Sequence, residues 1–234
     1  METWPQDEVS DFLEKYQDQI QSFEIKEVER ENWNESWEQN FDPVEVGNRC
    51  IIRAPFHEVE KGFDHEIVIM PKMSFGTGHH ATTYQMVDLQ LSLDHVGKKV
   101  LDLGTGTGVL AILAKKLGAA YVEATDIDDW CIENTNENVA LNSLEPINVK
   151  QGPVDQLTFD LRFDIVIANI NKNVLLAEMS HYANLMNENG SLLLSGFYEH
   201  DILDVVAQAE KCGLKHIRST MREQWAALDL NRPS

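Results

Sequence analysis

The stretch from Val100 to Asp126 limits the possible folds more than any other part of this chain. It reads as an apolar strand, Val100-Leu101-Asp102-Leu103, then Gly104-Thr105-Gly106-Thr107-Gly108, a helix-forming run, and a second strand ending in Asp126. A chain that leaves a parallel strand and turns at once into a helix passes close to whatever sits at the strand's carboxyl edge. Glycines permit both the turn and the approach. An acidic residue ending the next strand then lies beside that ligand, where its carboxylate accepts hydrogen bonds from both hydroxyls of a ribose. Glycine-rich strand-to-helix turns also occur as plain structure, so the combination carries the argument for a nucleotide-type ligand.

The spacing narrows the ligand further. A dinucleotide fingerprint needs its third glycine at position 109, which is Val109, so a nicotinamide-dependent dehydrogenase is the weakest reading. Here the third glycine is Gly108, and Asp102 precedes the loop. This spacing resembles that of methyltransferases using S-adenosylmethionine, a cofactor with no pyrophosphate to hold at a helix N-terminus. Asp126 is the expected ribose ligand because it ends the alternating run Tyr121-Val122-Glu123-Ala124-Thr125. Asp128 and Asp129 read as acids of the next helix's first turn.

From Thr82 onward the elements alternate. Strands are expected near residues 99–103, 121–126, 147–151, 163–169, 191–195, 214–219 and 223–229. Helices are expected near 82–91, 109–117, 128–141, 173–186 and 200–212, with Gly118 and Gly213 as stops. Such alternation gives an α/β fold with a parallel sheet wound on both sides by helices. The last two strands, linked near 220–222, are joined too closely for a crossover and must pair antiparallel. The whole is the expected shape of a class I S-adenosylmethionine-dependent methyltransferase, Rossmann-like and seven-stranded.

With 234 residues and 43% hydrophobic content, the chain has room for one full α/β core and an appendage. The expected division is 1–71, an N-terminal segment plus linker, and 72–234, the catalytic domain. In the first part, residues 11–23 place Phe12, Leu13, Tyr16, Ile20 and Phe23 near one helical face. Trp33, Trp37 and Phe41 form an aromatic stripe of packing type on a second short helix, and strands are expected at 44–46, 50–52 and 67–70.

No apolar run approaches the roughly 20 residues of a membrane span, and no signal pattern opens the chain, so a cytoplasmic protein is expected. Cys50, Cys131 and Cys212 are scattered singly, which indicates neither a disulfide framework nor a zinc site. Adjacent His79 and His80 are poorly placed to share one metal ion. A net charge of −20 without a Lys/Arg cluster argues against direct nucleic-acid binding. It suits either simple solubility or attraction of a basic protein partner.

The strand at 163–169 ends in Ala168-Asn169-Ile170-Asn171-Lys172. Side chains at that edge face the methyl group and its acceptor. Methyltransferases of amide or base-ring nitrogens carry Asn/Asp-Pro-Pro-aromatic here. Its absence points to an aliphatic amine acceptor, with Asn169 positioning the nitrogen. A lysine amine with a pKa of about 10.4 costs roughly 4 to 5 kcal/mol to deprotonate at pH 7, an α-amine near 8 only about 1 to 1.5. Desolvation and the cofactor's sulfonium charge both favour the neutral amine, so alignment can do most of the work without a strong dedicated base.

The segment Phe75-Gly-Thr-Gly-His-His-Ala-Thr-Thr83 suggests a loop that closes over a ligand, while Thr82 and Thr83 also suit plain helix caps. Together with Val100-Leu-Asp-Leu-Gly-Thr-Gly-Thr-Gly-Val-Leu-Ala, Leu117-Gly-Ala-Ala, Asp126-Ile-Asp128 and Ala168-Asn-Ile170, it resembles the PrmA family, the methyltransferases of large-subunit ribosomal protein eleven. The resemblance runs from about Trp33 to the end. It implies that Thr83, Gly104, Asp126 and Asn169 contact S-adenosylmethionine, with Gly106 in the same loop. It also implies methylation of α- and ε-amines of the bacterial ribosomal protein by a monomeric enzyme. Trp225 sits where the family's last hairpin carries a similar tryptophan. The family has a ferredoxin-like domain that captures the substrate, and the segment before Trp33 is too short for the whole of it. A truncated chain and a reduced recognition domain both account for this. Another protein or small-amine acceptor, or a cofactor-binding module without turnover, remain alternatives.

Overall fold

A computed structural model describes Lys15, Tyr16 and residues 41–234 except Met73. The chain divides into two compact units, Met1–Asn40 and Phe41–Ser234. Lys15 and Tyr16 are helical; the rest of the helix expected at 11–23, and Trp33 and Trp37, lie outside the described residues. Phe41 of the expected aromatic stripe lies in irregular chain, with its ring 4.5 Å from that of His79.

The second unit opens with β1 (Val44–Val46), β2 (Cys50–Arg53) and β3 (His65–Val68), which form a small sheet. Helix α1 (Ala81–Leu91) follows, then β4 (Lys99–Leu103), α2 (Val109–Lys116), β5 (Tyr121–Asp126), α3 (Asp129–Leu141) and β6 (Asn148–Gln151). After these come β7 (Phe163–Asn169), α4 (Lys172–Leu185), β8 (Met186–Tyr198), α5 (Ile202–Lys211), β9 (Lys215–Arg222) and β10 (Trp225–Asn231). The seven later strands lie in the order β6-β5-β4-β7-β8-β10-β9. From β6 through β8 all neighbours run parallel, and β10 is antiparallel to both β8 and β9.

Strand alternation divides the core. Val100, Ile165, Ile167 and Leu193 point to the face covered by α1, α2 and α3. Leu101, Leu103, Val166, Ala168, Leu192 and Leu194 point to the face covered by α4 and α5. The small sheet shares the first of these cores, because Cys50, Ile52, Ile67 and Ile69 pack with Met86, Ile112 and Leu113. The division expected at residue 71 therefore falls inside the second compact unit.

Helix ends follow their local chemistry. At the end of α2, Gly118 has φ +97°, and the amides of Gly118 and Ala119 donate to the carbonyls of Lys115 and Ala114. That is a Schellman closure, and Gly213 and Leu214 repeat it after α5 on Glu210 and Ala209. The last hairpin turns at Glu223-Gln224 rather than at 220–222, with φ of 53° and 69° at the two residues. A two-residue turn with both φ positive matches the twist of a hairpin, but it lacks the Asn-Gly pair that would mark it in sequence.

Candidate functional site

The carboxyl ends of β4, β5 and β7 open into a cavity of about 570 Å³. Gly104, Gly106, Asp126 and Asn169 all line it, so four of the five expected site residues converge. Thr83 is not among the lining residues; in the first turn of α1 its hydroxyl is enclosed without a hydrogen-bond partner.

The glycine turn is fixed from two sides. The amides of Gly104 and Thr105 both donate to Thr125 O at 2.9 Å, binding the turn to β5. A Cβ at Gly104 would collide with Ile170, and one at Gly106 with the carbonyl of Phe75. At Gly108 it would lie 2.9 Å from Thr135 Cγ2. The glycines thus admit neighbouring protein segments as well as a ligand. The segment brought in beside Gly106 is the loop before α1, since Phe75 O accepts from Thr107 N at 2.9 Å and Gly76 O from Thr107 Oγ1 at 2.6 Å. Helix α1 starts at Ala81, and its cap is His80, whose Nδ1 accepts from Thr82 N; neither threonine is the cap.

Asp126 is 8% exposed. Its Oδ2 accepts from Gly106 N at 2.9 Å and its Oδ1 from Asp128 N at 3.2 Å, which fixes the carboxylate and leaves each oxygen a further lone pair. Cys131 lies within 4.8 Å of both Asp126 and Asp128, and burial, reinforced by those carboxylates, raises its thiol pKa. A protonated thiol is a poor metal ligand.

Asn169 ends β7 with Oδ1 enclosed and unpartnered. The chain beyond it is fixed by Ile170 N donating to Ser195 O at 3.1 Å, and by Gly196, where a Cβ would strike the Ile170 carbonyl. Asn171 caps α4 by accepting from Val174 N. Lys172 then places a cation in a first helical turn, against the helix dipole, but pairs with Asp201 at 2.6 Å and Asp204 at 2.7 Å. The Lys172 ammonium in turn holds the Asp201 carboxyl below its usual range.

Beneath the glycine turn, Asp102 is 1% exposed; Oδ2 accepts from Thr105 Oγ1 at 2.7 Å and Oδ1 has no partner. Burial pushes this carboxyl up to about 7, against the pull of the Thr105 hydroxyl and the nearby Ala111 amide. From Phe75, half exposed at the cavity, a run of aromatic rings leads away. His80 lies 5.2 Å from Phe75, Trp225 lies 4.7 Å from His80, and Tyr198 stacks 4.2 Å from Trp225.

Sequence reasoning missed several lining residues, among them Ile127, Trp130, Val154, Val174 and Glu178. Ile127 follows Asp126 directly and was within reach of the same argument. Val174 and Glu178 are four apart on α4, a spacing that shows a shared face but not what it faces.

The family model described as Ribosomal protein L11 methyltransferase (PrmA) matches residues 2–233. A protein of that name from Porphyromonas gingivalis is 50% identical over 198 residues, spanning 84% of this chain and 68% of the relative. One from Phocaeicola vulgatus is 45% identical over 207 residues, spanning 88% of this chain and 74% of the relative. The crystal structure of a ribosomal protein L11 methylase from Lactobacillus delbrueckii subsp. bulgaricus superposes with a TM-score of 0.74 at 26% identity. It covers 83% of this chain and 100% of that one.

Proposed function

Since this chain belongs to the ribosomal protein L11 methyltransferase (PrmA) family, we propose that it methylates ribosomal protein L11 at α-amino and lysine ε-amino groups, using S-adenosylmethionine. The observation that carries this reading is the convergence of Asp126 and the unpartnered Asn169 Oδ1 on one cavity. The residues present suit the cofactor: a fixed carboxylate for two ribose hydroxyls, a glycine turn without side chains, and an enclosed oxygen lacking a partner.

When bound, the cofactor supplies a methyl group made electrophilic by its sulfonium. Asp126 holds the ribose, and the amides that fix Asp126 keep the nucleoside in register with the turn. Thr83 belongs to the same assignment through the family resemblance alone, since its enclosed hydroxyl does not line the cavity. Asn169 Oδ1 accepts a hydrogen bond from the acceptor amine and so aims the nitrogen lone pair along the line of displacement. The amine gives up a proton to solvent beforehand, a cost of roughly 4 to 5 kcal/mol for a lysine at pH 7 that desolvation in the cavity reduces. The aromatic run from Phe75 to Tyr198 offers ring faces to an approaching ammonium. A chain of net charge −20 draws in a basic protein, acting as a cytoplasmic monomer without direct nucleic-acid contact.

The test is intact-mass analysis of unmethylated L11 incubated with this chain and S-adenosylmethionine. Stepwise methyl gains mapped to α- and ε-amines are expected. No gain, with cofactor binding demonstrated, would overturn the assigned acceptor.

A further inference from the structure

The polar groups of the cavity fall in separate places. Asp126 and Asp128 stand together at the end of β5, Asn169 ends β7, and a third carboxylate, Glu178, reaches the cavity from α4. The walls near it are apolar, with Ile127, Val154 and Val174 able to enclose a flat ring. Side chains on a helix lean toward its N-terminus, so Glu178 leans toward the cavity and Tyr182, one turn later, leans toward Glu178. Tyr182 is fully buried and donates its hydroxyl to Glu178 Oε2 at 2.7 Å. Burial, with the Glu178 charge added, pushes the Tyr182 phenol far above its ordinary value and keeps it a donor. Among the described residues, Glu178 Oε1 has no hydrogen-bond partner.

The backbone at that end of the cavity is largely committed. Gly152 N donates to Asp126 O at 2.8 Å, Pro153 has no N–H, and the carbonyls of Pro153 and Val154 accept from Gln156 and Leu157. Each of these carbonyls keeps one lone pair, but a charged carboxylate is the stronger acceptor for a ring amine placed between Ile127 and Val154. We infer that Glu178, oriented by Tyr182, accepts the 6-amino group of the cofactor's adenine and sets the preference of the site for that base. This rests on the reading that the cavity takes S-adenosylmethionine.

The test compares the binding of S-adenosylhomocysteine with that of its purine analogue, which carries hydrogen in place of the 6-amino group, by titration calorimetry. The native protein is expected to prefer the amine about tenfold or more, the scale of a hydrogen bond to a charged acceptor. Glu178→Leu should bring the two ligands within about threefold, and the isosteric Glu178→Gln should leave an intermediate preference. Tyr182→Phe, which frees the carboxylate from its anchor, should lower the preference while leaving binding of the purine analogue unchanged. Equal binding of the two ligands by the native protein, or an unchanged ratio in Glu178→Leu and Glu178→Gln, would overturn the inference. Asp126→Ala separates the two failures. If it weakens both ligands while the Glu178 variants keep the native ratio, only the adenine assignment falls. If it weakens neither, the cavity is not the cofactor site and both assignments fall.

Discussion

Two carboxylates lie buried on neighbouring strands, Asp102 on β4 and Glu123 on β5, at 1% and 2% exposure. Glu123 is saturated. It accepts from Tyr121 Oη at 3.0 Å and Asn148 Nδ2 at 3.2 Å and pairs with Lys150, whose ammonium also donates to Thr158 O. Asp102 has the Thr105 hydroxyl on one oxygen and the Ala111 amide nearby, and its Oδ1 lacks a hydrogen-bond partner. Ser74 and Asn169, at the cavity, likewise hold enclosed oxygens without partners. A closed polar network serves the fold, whereas enclosed groups left open beside a cavity cost stability unless something else completes them. The difference sets the closed network of Glu123 apart from the groups around the cavity, although unpartnered buried atoms also occur away from it, at Gln90 and His95.

Variants can break this contrast, and the largest effect is expected from pH. Asp102 titrates near 7 in the folded protein against 3.8 as its ordinary value. Between those values the native state keeps a proton that the unfolded chain has released. The associated stability is full below the ordinary carboxyl range, falls as pH rises, and is gone above about 7. Denaturant unfolding should therefore show native stability declining between pH 4 and 8 relative to Asp102→Asn, by about 4 kcal/mol at most. Parallel curves for the two proteins would contradict the assignment.

Asp126→Ala removes the acceptor for Gly106 N and, on the proposed function, both ribose contacts. It should weaken S-adenosylhomocysteine about a hundredfold or more by calorimetry, near 3 kcal/mol. On the scaffold side, Glu123→Gln leaves Lys150 without its charge partner. The loss expected in urea unfolding is about 2 kcal/mol, reduced from the fully buried case because Lys150 keeps 26% of its side chain exposed. Cofactor affinity should stay within twofold, and a larger loss of affinity would erase the boundary between the two regions. Thr83→Val is the smallest. Replacing an unpartnered hydroxyl by a methyl group should leave stability within about 1 kcal/mol. Cofactor affinity should nevertheless fall several-fold in the same titration; an unchanged affinity would remove Thr83 from the site.

The parallel half of the fold was legible because its elements carry strong local patterns. β4, β5 and β7 fall at the residues expected, since their alternating or continuous apolar runs stop at polar or glycine residues. β8 was harder. Its polar start, Asn187-Glu188-Asn189-Gly190, precedes the strand expected at 191–195 but is held in the sheet by Asn189 N donating to Arg232 O and Arg232 N to Gly190 O. That pairing links residues far apart in the chain, which a local pattern does not encode. The Glu223-Gln224 turn was misplaced for the same reason: β8–β10 pairing imposes a register that the turn residues themselves do not favour. The placement of Asp126 and the glycine turn at one cavity was legible because the turn's positive φ values call for glycine and Asp126 closes the alternating run of β5. Glu178 was not, because its meaning depends on which way α4 faces across the cavity.

The proposed division of labour within one cavity has Asp126 holding the cofactor and Asn169 aiming the acceptor nitrogen. Measuring turnover of L11 and binding of S-adenosylhomocysteine side by side for Asn169→Ala tests that division most directly. A fall in kcat of about a hundredfold, some 3 kcal/mol of lost alignment, with the cofactor Kd within threefold of native is the predicted result. Native turnover, or a loss of cofactor binding as large as the loss of turnover, would contradict it.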